Sequence, residues 1–192
     1  MPDLSTVLAS LQAILARPTT MLLMVLLAIA AVSDARSYRI PNALTVAGML
    51  LGLAVNTFEG QAGVAGFLGG LGGLFAGLVA LLPMYVFGIS GAGDVKLMAM
   101  VGAFLGVPDV LVALLFVFLT GGILALLTVV VRRVTRQFIT NLAFVLRAAT
   151  VTALTGVRAE ETRMVSVARL PYAVCIALGT LAFLIVQQLA LG

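Results

Sequence analysis

The chain has 192 residues, of which 62% are hydrophobic and only 9% are charged. Soluble domains carry about 25% charged residues, so this composition predicts a membrane protein, and the length favours one domain over residues 1–192. Histidine is absent, which excludes a Ser-His-Asp triad, a Cys-His pair and an H-E-x-x-H zinc site. The single cysteine, Cys175, excludes a disulfide framework and a C-x-x-C metal site.

Six apolar segments follow one another along the chain, read at about 20 residues for each bilayer crossing. They are Pro18–Ser37, Pro41–Phe58, Ala62–Ile89, Asp94–Val107, Val110–Val131 and Leu170–Leu191. The stretch 132–169, between the last two, is basic and has apolar residues at helical spacing, which is typical of an amphipathic helix on the membrane surface. The sequence therefore predicts an all-α membrane protein with about six transmembrane helices and one interfacial helical segment.

The distribution of positive charge predicts which side of the membrane each loop occupies. Of the 11 lysines and arginines, only Arg17 falls on one side of the six-segment arrangement. The others flank the opposite side: Arg36, Arg39, Lys96, Arg132, Arg133, Arg136, Arg147, Arg158, Arg163 and Arg169. By the positive-inside rule, we expect 132–169 and the loops at Asp34 and Asp94 to be cytoplasmic, and both termini to lie outside. The net charge of +4 then indicates attraction to membrane lipids, and nucleic acid is not expected as a partner.

Small residues recur every four positions in the third apolar segment, at Gly69, Gly73 and Gly77. Such a stripe lets a neighbouring membrane helix approach closely. We therefore expect tight helix packing along this face.

Two apolar stretches are too short to cross a bilayer unaided. Thr20–Ser33 and Asp94–Val107 each have 14 residues. At about 1.5 Å per residue each covers about 21 Å, against a hydrocarbon core of about 30 Å. Each stretch must therefore draw in residues from its ends, which brings Asp34 and Asp94 to a similar shallow depth on the same side.

Carboxylates at that depth are costly and are usually functional. Two carboxylates that lie close together share a proton because both cannot easily ionise. The ionised group can then take a proton from water while the protonated group polarises a scissile carbonyl, as in an aspartic protease, without a metal or cofactor. Gly91 and Gly93, just before Asp94, would break the helix and leave room for an extended substrate backbone.

Three stretches closely resemble the type IV prepilin peptidase family. They are "DARSYRIPNALT" (34–45), "GAGDVKLMAMVGAFLG" (91–106) and "LPYAVCIALG" (170–179). The resemblance implies a membrane aspartic peptidase of the G-x-G-D type, with Asp34 and Asp94 in the catalytic roles. It also implies a location in the bacterial inner membrane, where such enzymes remove basic leader peptides from prepilins and pseudopilins at the cytoplasmic face.

Two departures from the family pattern are informative. Long members carry an extra cytoplasmic domain with paired C-x-x-C motifs that accompanies N-methylation, and this chain has neither the insert nor the cysteines. It is therefore similar to the short branch that serves Flp-type pili of tight-adherence systems, and methyltransferase activity is not expected. Ala173 stands where many relatives have glycine, a change that leaves the catalytic assignment untouched.

Other readings of the same residues stay open. Asp34 and Asp94 could form independent ion pairs with Arg36 and Lys96, and glycine before aspartate is also ordinary helix capping. Lys96 and Arg36 are candidate substrate or lipid contacts, although Lys96, two positions past Asp94, should point away from it on a helix. An ion-coupled transporter or proton channel could use the same acids, with acids near the bilayer midplane and an inverted repeat. A third alternative is a scaffold of the pilus assembly machine.

Overall fold

The computed structural model describes residues 17–58, 63–88, 90–131 and 171–191. The predicted amphipathic segment 132–169 and its seven arginines lie outside these residues. The chain divides into two compact units, one formed by 1–121 with 171–192 and the other by 122–170. The site and the helices described below belong to the first unit, except for residues 122–131, the C-terminal part of the fifth helix, which belong to the second.

The described part of the chain consists of six α-helices and contains no strand. They are α1 (Pro18–Ser37), α2 (Asn42–Phe58), α3 (Gly63–Val86), α4 (Ala92–Leu105), α5 (Val107–Val131) and α6 (Tyr172–Leu191). By length and composition, α1, α3, α5 and α6 are able to cross a membrane, whereas the apolar helix α2 is shorter at 17 residues. The predicted all-α membrane architecture is confirmed.

The boundary between α4 and α5 differs from the sequence expectation. The predicted segments Asp94–Val107 and Val110–Val131 leave Pro108 and Asp109 in a break between them, but both residues belong to the first turn of α5. The break falls at Gly106, which has a positive φ of 80° and connects Leu105 directly to Val107. Proline is tolerated in a first helical turn because its missing N–H would be unpaired there, so Pro108 is accommodated as the second residue of the new helix.

The core of this unit is built around α4. Every residue of this 14-residue helix from Val95 to Phe104 is buried except Lys96. It packs most extensively on α3 and α2 and less on α1 and α6, while α1 packs mainly on α6. A helix that is apolar on all sides belongs inside a protein. This explains how a helix only about 21 Å long fits a membrane protein, since neighbouring helices surround it.

The glycine stripe of α3 provides the close contact with α4. A Cβ at Gly73 would collide with the carbonyl oxygen of Gly102, and a Cβ at Gly77 would collide with that of Met98. Gly69 differs, because a Cβ there would meet no atom within 4 Å. The predicted tight packing is therefore present at two of the three positions.

The C-terminal end of α4 is capped by a side chain from another helix. The Asn56 amide of α2 donates hydrogen bonds to the carbonyl oxygens of Ala103 (2.7 Å) and Phe104 (3.0 Å). The last carbonyls of a helix have no partner within it, and water is scarce in an apolar interior. Asn56 thus fixes one end of α4, opposite the end that carries Asp94.

Candidate active site

Asp34 lies in the last turn of α1, and only 7% of its surface is exposed. Its carboxylate oxygen Oδ2 accepts a hydrogen bond of 3.0 Å from the backbone N–H of Ala173, in the first turn of α6. A helix N-terminus carries unpaired N–H groups and a partial positive charge, both of which favour a carboxylate. The start of α6 therefore holds Asp34 in place and stabilises its negative charge.

Asp94 is the third residue of α4 and is likewise 7% exposed. Its Oδ2 accepts a hydrogen bond of 2.8 Å from the backbone N–H of Gly91, the residue that caps the helix. Gly91 has extended backbone angles (φ −84°, ψ 157°), so the chain enters the helix there without strain. The carboxylate is thereby held back against the start of its own helix.

The two carboxylates line one cavity of about 300 Å³. The remaining lining residues come from the α1–α2 turn and from the start of α4: Tyr38, Arg39, Ile40, Asn42, Gly91, Ala92 and Gly93. The last turn of α1, which carries Asp34, and the first turn of α4, which carries Asp94, therefore present both acids at one place.

Side-chain hydroxyls of α1 fix the α1–α2 turn that forms one wall of the cavity. The hydroxyl of Ser33 donates to the carbonyl oxygen of Arg39 at 2.8 Å. Tyr38 adopts the left-handed conformation (φ 51°, ψ 34°) and donates its backbone N–H to the carbonyl oxygen of Asp34 at 2.8 Å. Non-glycine residues rarely take this conformation, so the turn is held by its surroundings at a local energetic cost.

The start of α4 lies directly against this turn. A Cβ at Gly93 would stand 3.2 Å from the Cβ of Ile40, closer than ordinary van der Waals contact. The absence of a side chain at Gly93 lets the two walls approach. Close packing is thus a second reason for glycine at a position where the sequence predicts room for substrate.

Four of the predicted site residues meet at the cavity, namely Asp34, Asp94, Gly91 and Gly93. Lys96 and Arg36 are not among the described residues that line it. The ammonium of Lys96 instead donates a hydrogen bond of 2.9 Å to Oδ1 of Asn42. Arg36 lies along a shallow groove on the outer face of α1, together with Ile29 and Val32.

Sequence reasoning missed three contributors to the site: Ala173, Asn42 and Tyr38. Ala173 acts through its backbone, which leaves no mark in the sequence beyond Pro171, whose ring predicts a helix start nearby. Asn42 lies within the second apolar segment, and nothing in the sequence distinguishes its side chain as part of a site. Among the described residues, no group of three or more Cys, Asp or Glu is placed to hold a metal ion.

Fold and site together define a multi-pass α-helical membrane protein with a pair of buried carboxylates in a common cavity. The chain belongs to the type IV leader peptidase family, whose model matches residues 21–126 and so covers both aspartates. The protein is thus a member of a peptidase family, as the sequence motifs indicated. No curated protein and no solved structure matches the chain.

Proposed function

We propose that the protein is an aspartic endopeptidase that removes the basic leader peptide from prepilins or pseudopilins at the cytoplasmic face of the bacterial inner membrane. The observation that carries this proposal is the common cavity lined by Asp34 and Asp94. Both acids are buried, and each accepts a backbone N–H. Membership of the type IV leader peptidase family supports leader cleavage as the reaction.

The mechanism follows from two carboxyl groups that share one proton. The ionised carboxylate takes a proton from a water molecule, whose oxygen attacks the scissile carbonyl carbon. The protonated carboxyl donates its hydrogen to the carbonyl oxygen, which gives a tetrahedral diol. When the C–N bond breaks, the leaving nitrogen takes the proton that the first carboxylate received from water, and a hydroxyl of the diol gives its proton to the other, ionised carboxylate. The new carboxyl and amino termini then depart. The pair then returns to its singly protonated state.

The substrate is expected to be a peptide whose basic leader remains in the cytoplasm while the segment after the cleavage site is a membrane helix. Arg36, Arg39 and Lys96 lie near the site end of the helices, which supports a cytoplasmic location for this end by the positive-inside rule. Flp-type prepilins are the first candidates, as the resemblance to the short branch implies. We expect the product to carry no added methyl group.

The decisive experiment incubates the purified protein with a Flp-type prepilin and determines the mass of the product. Asp34→Asn and Asp94→Asn should each lower cleavage by about three orders of magnitude or more, because neither carboxylate works without its partner. Asp109→Asn is the matched control. Asp109 is also partly buried and hydrogen-bonded, at 3.0 Å from Nε2 of Gln187, but it does not line the cavity.

The outcomes separate the alternatives. Full cleavage by either site variant, in a protein that remains inserted and folded, would falsify the two-aspartate mechanism. Ion flux in reconstituted vesicles that requires Asp34 and Asp94, without cleavage of any pilin precursor, would instead identify a transporter or channel. Normal piliation in cells that carry the double Asn variant would favour a scaffold.

A further inference from the structure

We propose that Lys96 and Asn42 form a clamp that holds the start of α4, and with it Asp94, in register with the α1–α2 turn. Lys96 is then a positioning residue of the peptidase, and this inference rests on the proposed function. Its basis is the hydrogen bond of 2.9 Å from the Lys96 ammonium to the Asn42 side-chain oxygen.

The two partners have different relations to the cavity. Asn42 lines it beside both aspartates, whereas Lys96 is not among its described lining residues. Lys96 follows Asp94 by two residues, which is about 200° around a helix, so the two side chains leave α4 on opposite sides. The ammonium therefore acts on the site through Asn42, and its contact accounts for its position without a leader or lipid ligand.

Asn42 is well placed to couple the position of the helix that carries Asp94 to that of the helix that carries Asp34. It is the first residue of α2, and residues 38–41 alone separate it from the helix that carries Asp34. Its backbone carbonyl accepts the hydroxyl of Thr45 at 3.0 Å, and Thr45 is 1% exposed. The start of α2 is therefore anchored in the core, and the Lys96 bond extends this anchor to α4.

The contact between Gly93 and Ile40 explains why a directional bond is needed there. Gly93 approaches Ile40 so closely that a Cβ would stand 3.2 Å from the isoleucine Cβ. Apolar contact of this kind is non-directional and allows the surfaces to slide. A hydrogen bond with a charged donor is stronger than a neutral one and fixes geometry. The clamp thus sets the axial position of α4 relative to the turn.

A double-mutant cycle tests the clamp, with Lys96→Met, Asn42→Ala and the double variant measured against wild type. Each single change should lower kcat by about tenfold, the scale of one charge-assisted hydrogen bond, with KM and the thermal midpoint near wild type. The double variant should be no worse than either single variant because the two residues act as one unit. Arg17→Met, which also removes a cation, is the control and should be fully active.

Three results would overturn the clamp while leaving the peptidase intact, provided that wild type cleaves and the Asp34→Asn variant does not. The first is activity of Lys96→Met equal to wild type. The second is a loss of kcat in the double variant that equals the product of the two single losses. The third is a rise in KM that occurs in Lys96→Met alone and depends on the charge of the leader peptide. The last would identify Lys96 as a leader contact.

Hydrogen exchange provides a readout that does not require peptidase activity. The amides of residues 91–95 should exchange faster, and to a similar extent, in Lys96→Met and Asn42→Ala, because both release the start of α4. Exchange equal to wild type in both variants would overturn the clamp even if no substrate is cleaved.

Discussion

The backbone N–H of Ala173 donates a hydrogen bond of 3.0 Å to the carboxylate of Asp34, across 139 positions of the sequence. Ala173 is completely buried in the first turn of α6, and Asp34 lies in the last turn of α1. The two helices pack along their length, which directs the N-terminus of one at the acid of the other. One of the proposed catalytic acids thus depends on a helix that lies outside the part matched by the family model.

The first prediction removes this donor. Proline is tolerated in the first turn of a helix but has no backbone N–H. Ala173→Pro therefore removes the hydrogen bond to the Asp34 carboxylate. We expect leader cleavage to fall by about ten- to a hundredfold, since a hydrogen bond to a charged group contributes about 1.5–3 kcal/mol. Ala173→Gly retains the N–H and is the control. Equal activity of the Pro and Gly variants, with equal expression, would show that the N–H is dispensable.

The two aspartates could be predicted from sequence because their signals are local. Asp34 and Asp94 each interrupt or begin an apolar stretch of 14 residues, and helix length alone brings them to one depth. Ala173 could not be predicted, because a backbone N–H is present at almost every residue and only tertiary packing selects one of them. The same holds for the Lys96–Asn42 pair, whose members are 54 positions apart.

The second prediction concerns the contact between α3 and α4. Gly73→Ala should destabilise the protein by about 1–3 kcal/mol, because its Cβ would collide with the Gly102 carbonyl and push α4 away. Gly69→Ala should be neutral or stabilising by about 0.5–1 kcal/mol, since alanine is the better helix former and its Cβ meets nothing there. Thermal unfolding in detergent measures both. Similar shifts for the two variants would contradict the structure.

These glycines also show which packing contacts residue spacing alone does not predict. The four-residue spacing identified the face of α3 that packs, but it treated Gly69 as equivalent to Gly73. Gly69 is exposed, and the glycine that faces α4 at this level is Gly70, where a Cβ would stand 3.1 Å from the carbonyl oxygen of Ala103. That carbonyl lies in the last turn of α4, which a distant asparagine caps.

The third prediction tests this cap. Asn56→Leu leaves the carbonyls of Ala103 and Phe104 without their amide donor, and we expect a loss of about 1–3 kcal/mol. Thr57→Val is the control, because the hydrogen bond that the Thr57 hydroxyl makes within the described residues goes to the carbonyl of Leu53 in its own helix. That carbonyl keeps its helical partner, so the expected change is below about 0.5 kcal/mol. Equal losses in the two variants would mean that Asn56 does not cap α4.

The last prediction addresses the left-handed residue in the cavity wall. Tyr38 has φ 51° and is 49% exposed, so its conformation, rather than burial of its ring, dominates the effect of replacing it. Glycine takes this conformation freely, whereas other residues are disfavoured by about 1–2 kcal/mol, so Tyr38→Gly should raise the unfolding midpoint. Tyr85→Gly is the matched control, since Tyr85 is 47% exposed within helix α3, where glycine costs about 1 kcal/mol. The two substitutions should therefore shift the midpoint in opposite directions.

If cleavage falls in Tyr38→Gly while its stability rises, the tyrosine ring contacts the substrate. A lower midpoint for both variants would mean that the turn at Tyr38 is not strained.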